Sequence, residues 1–405
     1  TGLIAIDTAD HFTVFGRTIV ALLIQVGGLG VTSVGVGFIL VAGKRVGFKS
    51  RLLVREAMNM ENGKGIVRLV KSILTLCFEG AGALLSFLVF VQDHPPLEAI
   101  GISIFHSIAA FNNSGFDILG GLQNLIPYQN NLLLNLTTAG LIIFGGLGFL
   151  VILDILKKRS FRALALHSKV VIVMSAVLIL LGTLLLKATE NVTWLGAFFQ
   201  SVSARTAGFS TYPIGSFTDA GLFVLILLMF VGASPGSTGG GIKTTTLFAL
   251  LQATRSAATG RMPTAFRRTV AGEVVQKAFI VTLLSAFVVC GGTFILCLLE
   301  PDLTFLQLLF EATSAFGTVG LSAAPARQQT DRHIDHVHRT YRPVDCGLAL
   351  GLPNGAARLV FRRNHHHWIR RKAWQKIRIP RPTASSGWDA SARRWPKAWL
   401  PLAKT

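Results

Sequence analysis

Residues 105–116 read FHSIAAFNNSGF, residues 199–209 read FQSVSARTAGF, and residues 310–321 read FEATSAFGTVGL. Each stretch opens on a phenylalanine, continues through small and hydroxyl-bearing residues, and reaches a glycine at or near its end. The chain itself starts with TGL, which matches the end of the same pattern. Internal repetition at long intervals is typical of transport proteins. The sequence therefore predicts one structural unit that is used four times.

The composition points to a membrane protein. Of 405 residues, 51% are hydrophobic and 14% are charged, and the mean hydropathy is +0.55. Soluble domains seldom combine these values. A helix needs about 20 apolar residues to cross the hydrocarbon core. Six stretches are candidate spans, and the fifth is too long for one helix and contains a glycine run: residues 18–42, 66–91, 130–153, 170–186, 220–258 and 274–299.

The net charge of +20 is unevenly placed, and much of it lies after residue 322. Between the predicted spans, basic residues concentrate in alternate loops, at 44–68, 157–169 and 255–268. The remaining connections are acidic and include Asp117 and Glu311, with Arg205 as their one basic residue. The positive-inside bias places the basic loops in the cytoplasm. We expect a multi-pass protein of the bacterial plasma membrane, embedded in the lipid bilayer and binding no nucleic acid.

The repeated stretches have the chemistry of a cation path. Irregular backbone survives at membrane depth only where protein or water surrounds it. A ring of backbone carbonyls can replace the hydration shell of a cation, and glycine supplies the positive φ that aligns such carbonyls. Close packing of small residues is the alternative interpretation of any one copy. The predicted ion-filter residues are Thr1, Gly2, Asn113, Ser114, Gly115, Thr206, Ala207, Gly208, Thr318, Val319 and Gly320.

A glycine-rich run, GASPGSTGGGIKTTT, occupies residues 232–246. It does not match the phosphate-loop pattern, because Ile242 separates Gly241 from Lys243. We interpret it as a loop that interrupts a helix in mid-membrane, below the third filter, where it can obstruct the path. For the related runs at 27–30 and 145–148, close helix packing is the favoured explanation. The predicted gating-loop residues are Gly232, Ser234, Pro235, Gly236, Ser237, Thr238, Gly239, Gly240, Gly241 and Lys243.

The predicted fold is an all-α polytopic membrane protein with four-fold pseudo-symmetric repeats of helix, pore helix, filter and helix. The first and last repeats are incomplete. The predicted boundaries are 1–42 for the remainder of repeat 1, 43–160 for repeat 2, 161–262 for repeat 3 with its gating loop at 232–242, 263–322 for repeat 4 up to its filter, and 323–405 for a basic tail that we expect to be disordered.

These residues resemble the Trk/Ktr/HKT superfamily of potassium transporters, and most of all the bacterial Ktr membrane subunits. The stretches that carry the resemblance are TGLIAIDT at 1–8, NSGF at 113–116, TAGF at 206–209, TVGL at 318–321 and the run at 232–246. The resemblance covers residues 1 to about 322, nearly four fifths of the chain.

The resemblance implies a potassium filter, an intramembrane gating loop in the third repeat, and assembly as a homodimer that is controlled by a cytosolic nucleotide-binding regulatory subunit. No covalently bound cofactor is implied, and potassium is the transported ion. Gly2 favours potassium, because a serine at that position accompanies sodium transport in the superfamily. His106, Gln200 and Glu311 occupy pore-helix positions, with His106 expected to be a packing residue.

Two departures from the family pattern concern the ends of the sequence. The first outer helix and first pore helix are missing, so we expect an N-terminal truncation. The tail is rich in Arg, His, Trp and Pro where the family has a pore-lining helix. One reading of the codons for residues 336–347, shifted by a base, gives MFIGRTGPLTVA, which resembles that helix. We therefore expect a frameshift near residues 322–326 and no metal site at His365, His366 and His367.

Three functional interpretations follow. The leading one is the pore-forming subunit of a potassium-uptake system. A sodium-coupled or less selective cation transporter is the second, and a non-functional truncated product is the third. The apolar part contains no paired carboxylates, nucleophile with its base, or metal cluster of the kinds that enzymes use. We therefore expect no enzymatic activity.

Overall fold

The structure is a computed structural model that describes residues 7–29 and 65–324, apart from positions 261, 263, 267 and 270. The described residues all belong to one compact unit. The predicted filter residues Thr1 and Gly2, and the predicted tail beyond residue 324, lie outside the described residues.

The described part of the chain is helical, which confirms the predicted all-α fold class. One two-stranded antiparallel hairpin, β1 (Thr264–Ala265) with β2 (Arg268–Thr269), is the exception among these residues. The helices are α1 (Thr8–His11), α2 (Val14–Leu29), α3 (Gly65–Phe90), α4 (Pro96–Phe111), α5 (Leu132–Leu147), α6 (Phe149–Lys158), α7 (Leu166–Thr189), α8 (Trp194–Ser203), α9 (Asp219–Phe230), α10 (Thr244–Thr259), α11 (Gly272–Leu299) and α12 (Phe305–Gly317). Single 3-10 turns lie at Ile126–Tyr128, Phe161–Ala163 and Ile214–Ser216.

Capping residues set where the short helices α4, α8 and α12 begin. The hydroxyl of Thr193 accepts a hydrogen bond from the Gly196 amide at 3.1 Å, which caps α8. A reciprocal pair of bonds between Thr304 and Gln307 caps α12. Helix α4 starts with Pro96, whose missing N–H costs nothing in the first turn. The caps of α8 and α12 satisfy amides that would otherwise be unpaired, and all three helices end next to the predicted filters.

Two described helices, α7 and α11, are long and apolar enough to cross a membrane unaided. Helices α5 and α6 together would make a third, bent crossing. Shorter apolar helices include 74–90 within α3, together with α4 and α9. Helix α11 exposes large side chains along most of its length, among them Phe279, Leu284 and Phe287, each more than half exposed. An apolar surface of this extent is suited to lipid, in agreement with the multi-pass membrane location.

The span predicted over residues 130–153 is divided into two helices by a sharp bend. Helix α5 ends at Leu147, α6 begins at Phe149, and their axes differ by 98°. Gly148 between them has a φ of +86°, which side-chain-bearing residues rarely adopt. A Cβ atom there would lie 2.7 Å from the Pro235 carbonyl oxygen, so glycine is needed for the approach of the glycine-rich run as well. The GGLG motif therefore makes a bend in addition to allowing close packing.

Each short helix packs on the long helix that precedes it, α4 on α3, α8 on α7 and α12 on α11. In two of the pairs the same type of bond joins the helices. Ser107 on α4 donates to the Glu79 carbonyl at 2.6 Å, and Ser201 on α8 donates to the Ile179 carbonyl at 2.9 Å. This recurring arrangement agrees with a repeated unit, while the four-fold pseudo-symmetry remains a prediction.

Candidate functional site

Three glycine turns that are far apart in the sequence meet in the structure. We call residues 113–116 the second turn, 206–209 the third turn and 318–321 the fourth turn. A Cβ atom on Gly115 would lie 2.7 Å from the Ala207 carbonyl oxygen and 3.0 Å from the Gly208 Cα. A Cβ atom on Gly208 would in turn collide with the carbonyl oxygen of Val319. The three turns are therefore in direct backbone contact, and no side chain larger than hydrogen fits between them.

The three turns share one backbone conformation. In each, the glycine has a positive φ, +73° at Gly115, +82° at Gly208 and +99° at Gly320. The residue two positions earlier also has a positive φ in all three, and these residues are Asn113, Thr206 and Thr318. A left-handed conformation costs a non-glycine residue roughly 1–2 kcal/mol. The same strain at three independent positions indicates that the conformation is required by what the turns do.

Amide groups of the turns bond back to the helices before them. The Ser114 amide donates to the Ala109 carbonyl at 3.0 Å, and the Val319 amide donates to the Ser314 carbonyl at 2.9 Å. The Ala207 amide donates to the Ser203 carbonyl at 2.9 Å. Because these N–H groups are already paired, the turns keep carbonyl oxygens for a ligand. The C-terminal ends of α4, α8 and α12, each carrying about half a negative charge, lie at the same place and favour a cation.

The pore-helix positions singled out by the sequence have defined partners. Gln200 Nε2 donates to the hydroxyl of Ser210 at 3.1 Å, just after the third turn. The Glu311 carboxylate accepts from the Ser322 hydroxyl at 2.6 Å and from the Ala323 amide at 3.0 Å, just after the fourth. These two side chains fix the backbone segments that follow the third and fourth turns.

His106 differs from those two residues. It is 3% exposed, its Nε2 lies 2.8 Å from the Thr138 hydroxyl, and its ring packs edge-on against Phe90 and Phe209. The ring is thus a buried packing residue with a satisfied hydrogen bond, as the sequence indicated.

The glycine-rich run connects α9 to α10, where the sequence predicted an interrupted helix. Helix α9 ends at Phe230 and α10 begins at Thr244. The loop between them is seated in the bend between α5 and α6. The Ser234 amide donates to the Gly146 carbonyl at 3.1 Å, and the Thr238 amide donates to the Gly145 carbonyl at 3.4 Å. The bend and the loop are therefore one structural feature.

The same loop lies against two of the turns. The Gly240 amide donates to the Thr318 hydroxyl at 3.0 Å. A Cβ atom on Gly239 would collide with the Thr206 hydroxyl oxygen, so the loop backbone touches the third turn directly. Lys243, one of the predicted gating-loop residues, donates from Nζ to the Gly239 carbonyl at 2.6 Å. The lysine side chain therefore bonds within the loop that precedes it.

The structure corrects the expectation for Arg205. The sequence placed this residue among the charged groups of the outer connections, yet its side chain is only 8% exposed. The guanidinium lies 3.3 Å from the Ser175 hydroxyl on α7 and 3.5 Å from the Ser175 carbonyl oxygen. Its Nε has no hydrogen-bond partner among the described residues. A positive charge is therefore buried directly beside the third turn.

Asp117 follows the second turn. Its carboxylate accepts from the Leu119 amide at 3.2 Å, and the side chain is 6% exposed. The pKa of Asp117 is raised to about 6, chiefly by burial, with a smaller increase from the negative charge of Asp7 that opposes the lowering by the Leu119 hydrogen bond. The carboxyl group consequently changes charge close to physiological pH.

The family model described as "TrkH: Cation transport protein" matches residues 1–336. Ktr system potassium uptake protein B of Bacillus subtilis (strain 168) is 37% identical over 346 residues, which cover 80% of this chain and 75% of that protein. Its counterpart in Vibrio alginolyticus is 36% identical over 340 residues, with 80% and 74% coverage. Potassium/sodium uptake protein NtpJ of Enterococcus hirae is 34% identical over 339 residues, with 80% and 75% coverage.

Among solved structures, the crystal structure of the potassium transporter TrkH from Vibrio parahaemolyticus is similar to this chain. The TM-score is 0.58 at 18% sequence identity, and the match covers 81% of this chain and 70% of the other. At 18% identity, this similarity shows that the two chains share a fold.

Proposed function

Because the chain belongs to the TrkH family of cation transport proteins, we propose that it is the pore-forming subunit of a potassium-uptake system. The observation that carries the proposal is the meeting of the three glycine turns, with paired positive φ values and amides already bonded to the helices behind them. Two relatives that are 36–37% identical are named as potassium uptake proteins.

In the proposed mechanism, the turns replace water around the ion with backbone carbonyl oxygens. Asn113, Ser114, Gly115, Thr206, Ala207, Gly208, Thr318, Val319 and Gly320 are the filter residues among those described. Potassium is the cargo, and transport needs no covalent intermediate. Three helix C-termini add partial negative charge, so the site attracts a cation without a full carboxylate in the path.

The loop at 232–242 acts as the gate in this proposal. It lies directly against the third and fourth turns through Gly239 and Gly240. In this position the loop would obstruct the inner side of the proposed path. Opening requires release of the Gly240 amide from Thr318 and movement of the loop out of the bend at Gly148. Such a movement involves a few hydrogen bonds, a cost that a bound regulator can supply.

For partners, we propose a homodimer in the lipid bilayer with a cytosolic nucleotide-binding regulatory subunit. The support is the name of the relatives, which belong to Ktr systems, and the family resemblance. The proposed repeat boundaries remain 1–42, 43–160, 161–262 and 263–322.

A second candidate function is transport coupled to sodium or selective for neither ion. It is favoured by one specific observation, the 34% identity to a protein named as a potassium/sodium uptake protein. Competition of sodium against rubidium, a tracer for potassium, separates the two candidates.

The decisive experiment is rubidium uptake by the chain in bacteria that lack their own potassium-uptake systems. Gly208→Ser should lower the preference for potassium over sodium at least about tenfold, because a Cβ atom at this left-handed position collides with the neighbouring turn. Gly260→Ser is the matched control, since Gly260 also has a positive φ but has open space around it. Unchanged selectivity in Gly208→Ser would overturn the filter assignment, and absence of any uptake by the unsubstituted chain would favour a non-functional product.

A further inference from the structure

Glu79 is a buried carboxyl group that the proposed mechanism does not use. It lies on α3 with 6% of its side chain exposed, within the apolar stretch at 74–90. Carboxyl groups inside membrane segments are costly and are kept where they pair with other groups or face a functional path. The neighbours of Glu79 therefore decide its role.

Two amide side chains from two other helices converge on this carboxyl. Gln25 on α2 donates from Nε2 to one carboxyl oxygen at 3.0 Å. Asn112, the residue that ends α4, donates from Nδ2 to the other oxygen at 2.9 Å. Asn112 Nδ2 also lies 2.9 Å from the Gln25 Oε1, so the three side chains form a closed set of bonds. Glu79 thus joins the inner helix α2 to the end of the pore helix α4.

Asn112 is the residue immediately before the second turn. The next residue, Asn113, has a φ of +52° and donates from Nδ2 to the Thr206 hydroxyl of the third turn at 3.3 Å. The Asn112 Oδ1 faces Gly28, where a Cβ atom would collide with it. The Nδ2 group also lies 2.9 Å from the Ile108 carbonyl of its own helix, so Glu79 and Gln25 are the acceptors that other helices supply to orient this side chain. The position of Asn112 in turn sets the start of the strained turn.

The corresponding place next to the third turn shows that the carboxyl is not needed for helix packing. Next to the third turn, the pore-helix serine Ser201 bonds to the backbone carbonyl of Ile179. Next to the second turn, the equivalent serine bonds to the backbone carbonyl of Glu79. In both cases a glycine three residues later, Gly182 or Gly82, leaves room for that serine. The same packing of the two helices forms with the apolar side chain of Ile179. The carboxyl group of Glu79 is therefore not required for that packing, and its contact with Asn112 is what distinguishes it.

We propose that Glu79 is a positioning residue that orients the second turn through Asn112 and thereby contributes to ion selectivity. This inference rests on the proposed function of the turns as a potassium filter. The carboxyl does not touch the ion. It holds Asn112, and Asn112 holds the turn in register with Thr206.

The test is the uptake assay with substitutions at Glu79. Glu79→Leu removes both acceptors and should raise the KM for rubidium about tenfold and lower the preference for potassium over sodium, because Asn112 loses a buried hydrogen bond. The maximal rate should change far less. Glu79→Gln keeps an acceptor for Asn112 and should restore most of the affinity. Glu98→Leu, which removes an exposed carboxylate from the start of α4, is the matched control and should leave the KM unchanged.

A double substitution tests the route through Asn112. If Glu79 acts through that residue, Glu79→Leu with Asn112→Leu should be no more impaired than Asn112→Leu alone. Should Glu79→Leu fail to reach the membrane, Glu79→Asp decides the question, because it keeps the carboxyl group but is one methylene too short to reach Asn112. An unchanged KM and selectivity in Glu79→Asp, or an additive double substitution, overturns the proposal. A loss of maximal rate alone, not rescued by Glu79→Gln, also overturns it.

A measurement on the purified protein separates this inference from the proposed function. Amide hydrogen exchange at residues 113–115 should be faster in Glu79→Asp than in the unsubstituted protein and unchanged in Glu98→Leu. If the unsubstituted chain does not transport rubidium, the proposed function fails, while exchange still decides whether Glu79 orients the turn. Equal exchange rates in all three proteins overturn the positioning role.

Discussion

The second and third turns have the same backbone but opposite electrostatic surroundings. Both have a glycine and a residue two positions earlier with positive φ. Three positions before the glycine, however, the second turn has Asn112 bonded to the Glu79 carboxyl, and the third has Arg205 bonded to Ser175.

The electrostatic difference between the two turns extends to the residues that follow them and to the helices behind them. Asp117 follows the second turn, and Ser210 stands at the same distance after the third. Glu79 lies behind the second turn, where Ile179 lies behind the third. In the proposed mechanism, a cation between these turns is attracted from the side of the second turn and repelled from the side of the third. Under that proposal, similar backbones have different electrostatic surroundings, and we expect the side chains behind the turns to set the ion's affinity.

The largest effect should come from breaking the backbone contact itself. Gly115→Ala should reduce rubidium uptake more than about 100-fold, because its Cβ atom would lie 2.7 Å from the Ala207 carbonyl oxygen and the residue needs a positive φ. Gly101→Ala on the same pore-helix segment is the control, since nothing lies within 4 Å of a Cβ atom there. Equal uptake by the two variants would contradict the close contact between the second and third turns.

The next largest effect should come from making the third turn electrically like the second. Arg205→Asn removes a buried positive charge beside the third turn and should lower the KM for rubidium about tenfold, as expected for about 1–2 kcal/mol of charge repulsion in a partly polar interior. Arg162→Asn removes an exposed charge from a distant loop and serves as control. A higher KM in Arg205→Asn would show that the arginine supports the turn structurally and does not repel the ion.

The smallest effect on transport should come from Asp117, which follows the second turn. With a pKa of about 6, Asp117 is charged above that pH and neutral below it, so it attracts cations only in the higher range. Lowering the pH from about 7.5 to about 5 should raise the KM for rubidium about threefold, from the loss of one partly screened charge. Asp117→Asn should show the high KM at both pH values. A pH dependence that persists in Asp117→Asn would assign the titration to another group.

Much of the fold follows from local sequence. The apolar stretches at 170–186 and 274–299 predict spanning helices, and the structure has them at Leu166–Thr189 and Gly272–Leu299. Short apolar stretches before each glycine predict the pore helices, and α4, α8 and α12 end at those positions. The glycine run predicts an interrupted helix, and α9 and α10 are separated there. Each of these features depends on residues close together in the chain.

Three features could not be read from the sequence with the same methods. The bend at Gly148 was interpreted as part of one span, because the loop that fills it comes about ninety residues later. Arg205 was counted with the charged residues of the outer connections, since nothing local shows that α7 covers it. Glu79 gave a signal, a carboxyl in an apolar stretch, but its partners Gln25 and Asn112 lie on other helices.

The sequence by itself determined that this chain is a membrane protein with repeated glycine turns, because lipid requires long apolar helices and a left-handed backbone favours glycine. Both requirements act on neighbouring residues and are therefore visible in a linear pattern. Only the tertiary structure decided which turns touch, which loop lies against them, and where Glu79 and Arg205 place their charges. Those outcomes depend on contacts between residues that are distant in sequence, and such contacts exist only once the helices have packed together.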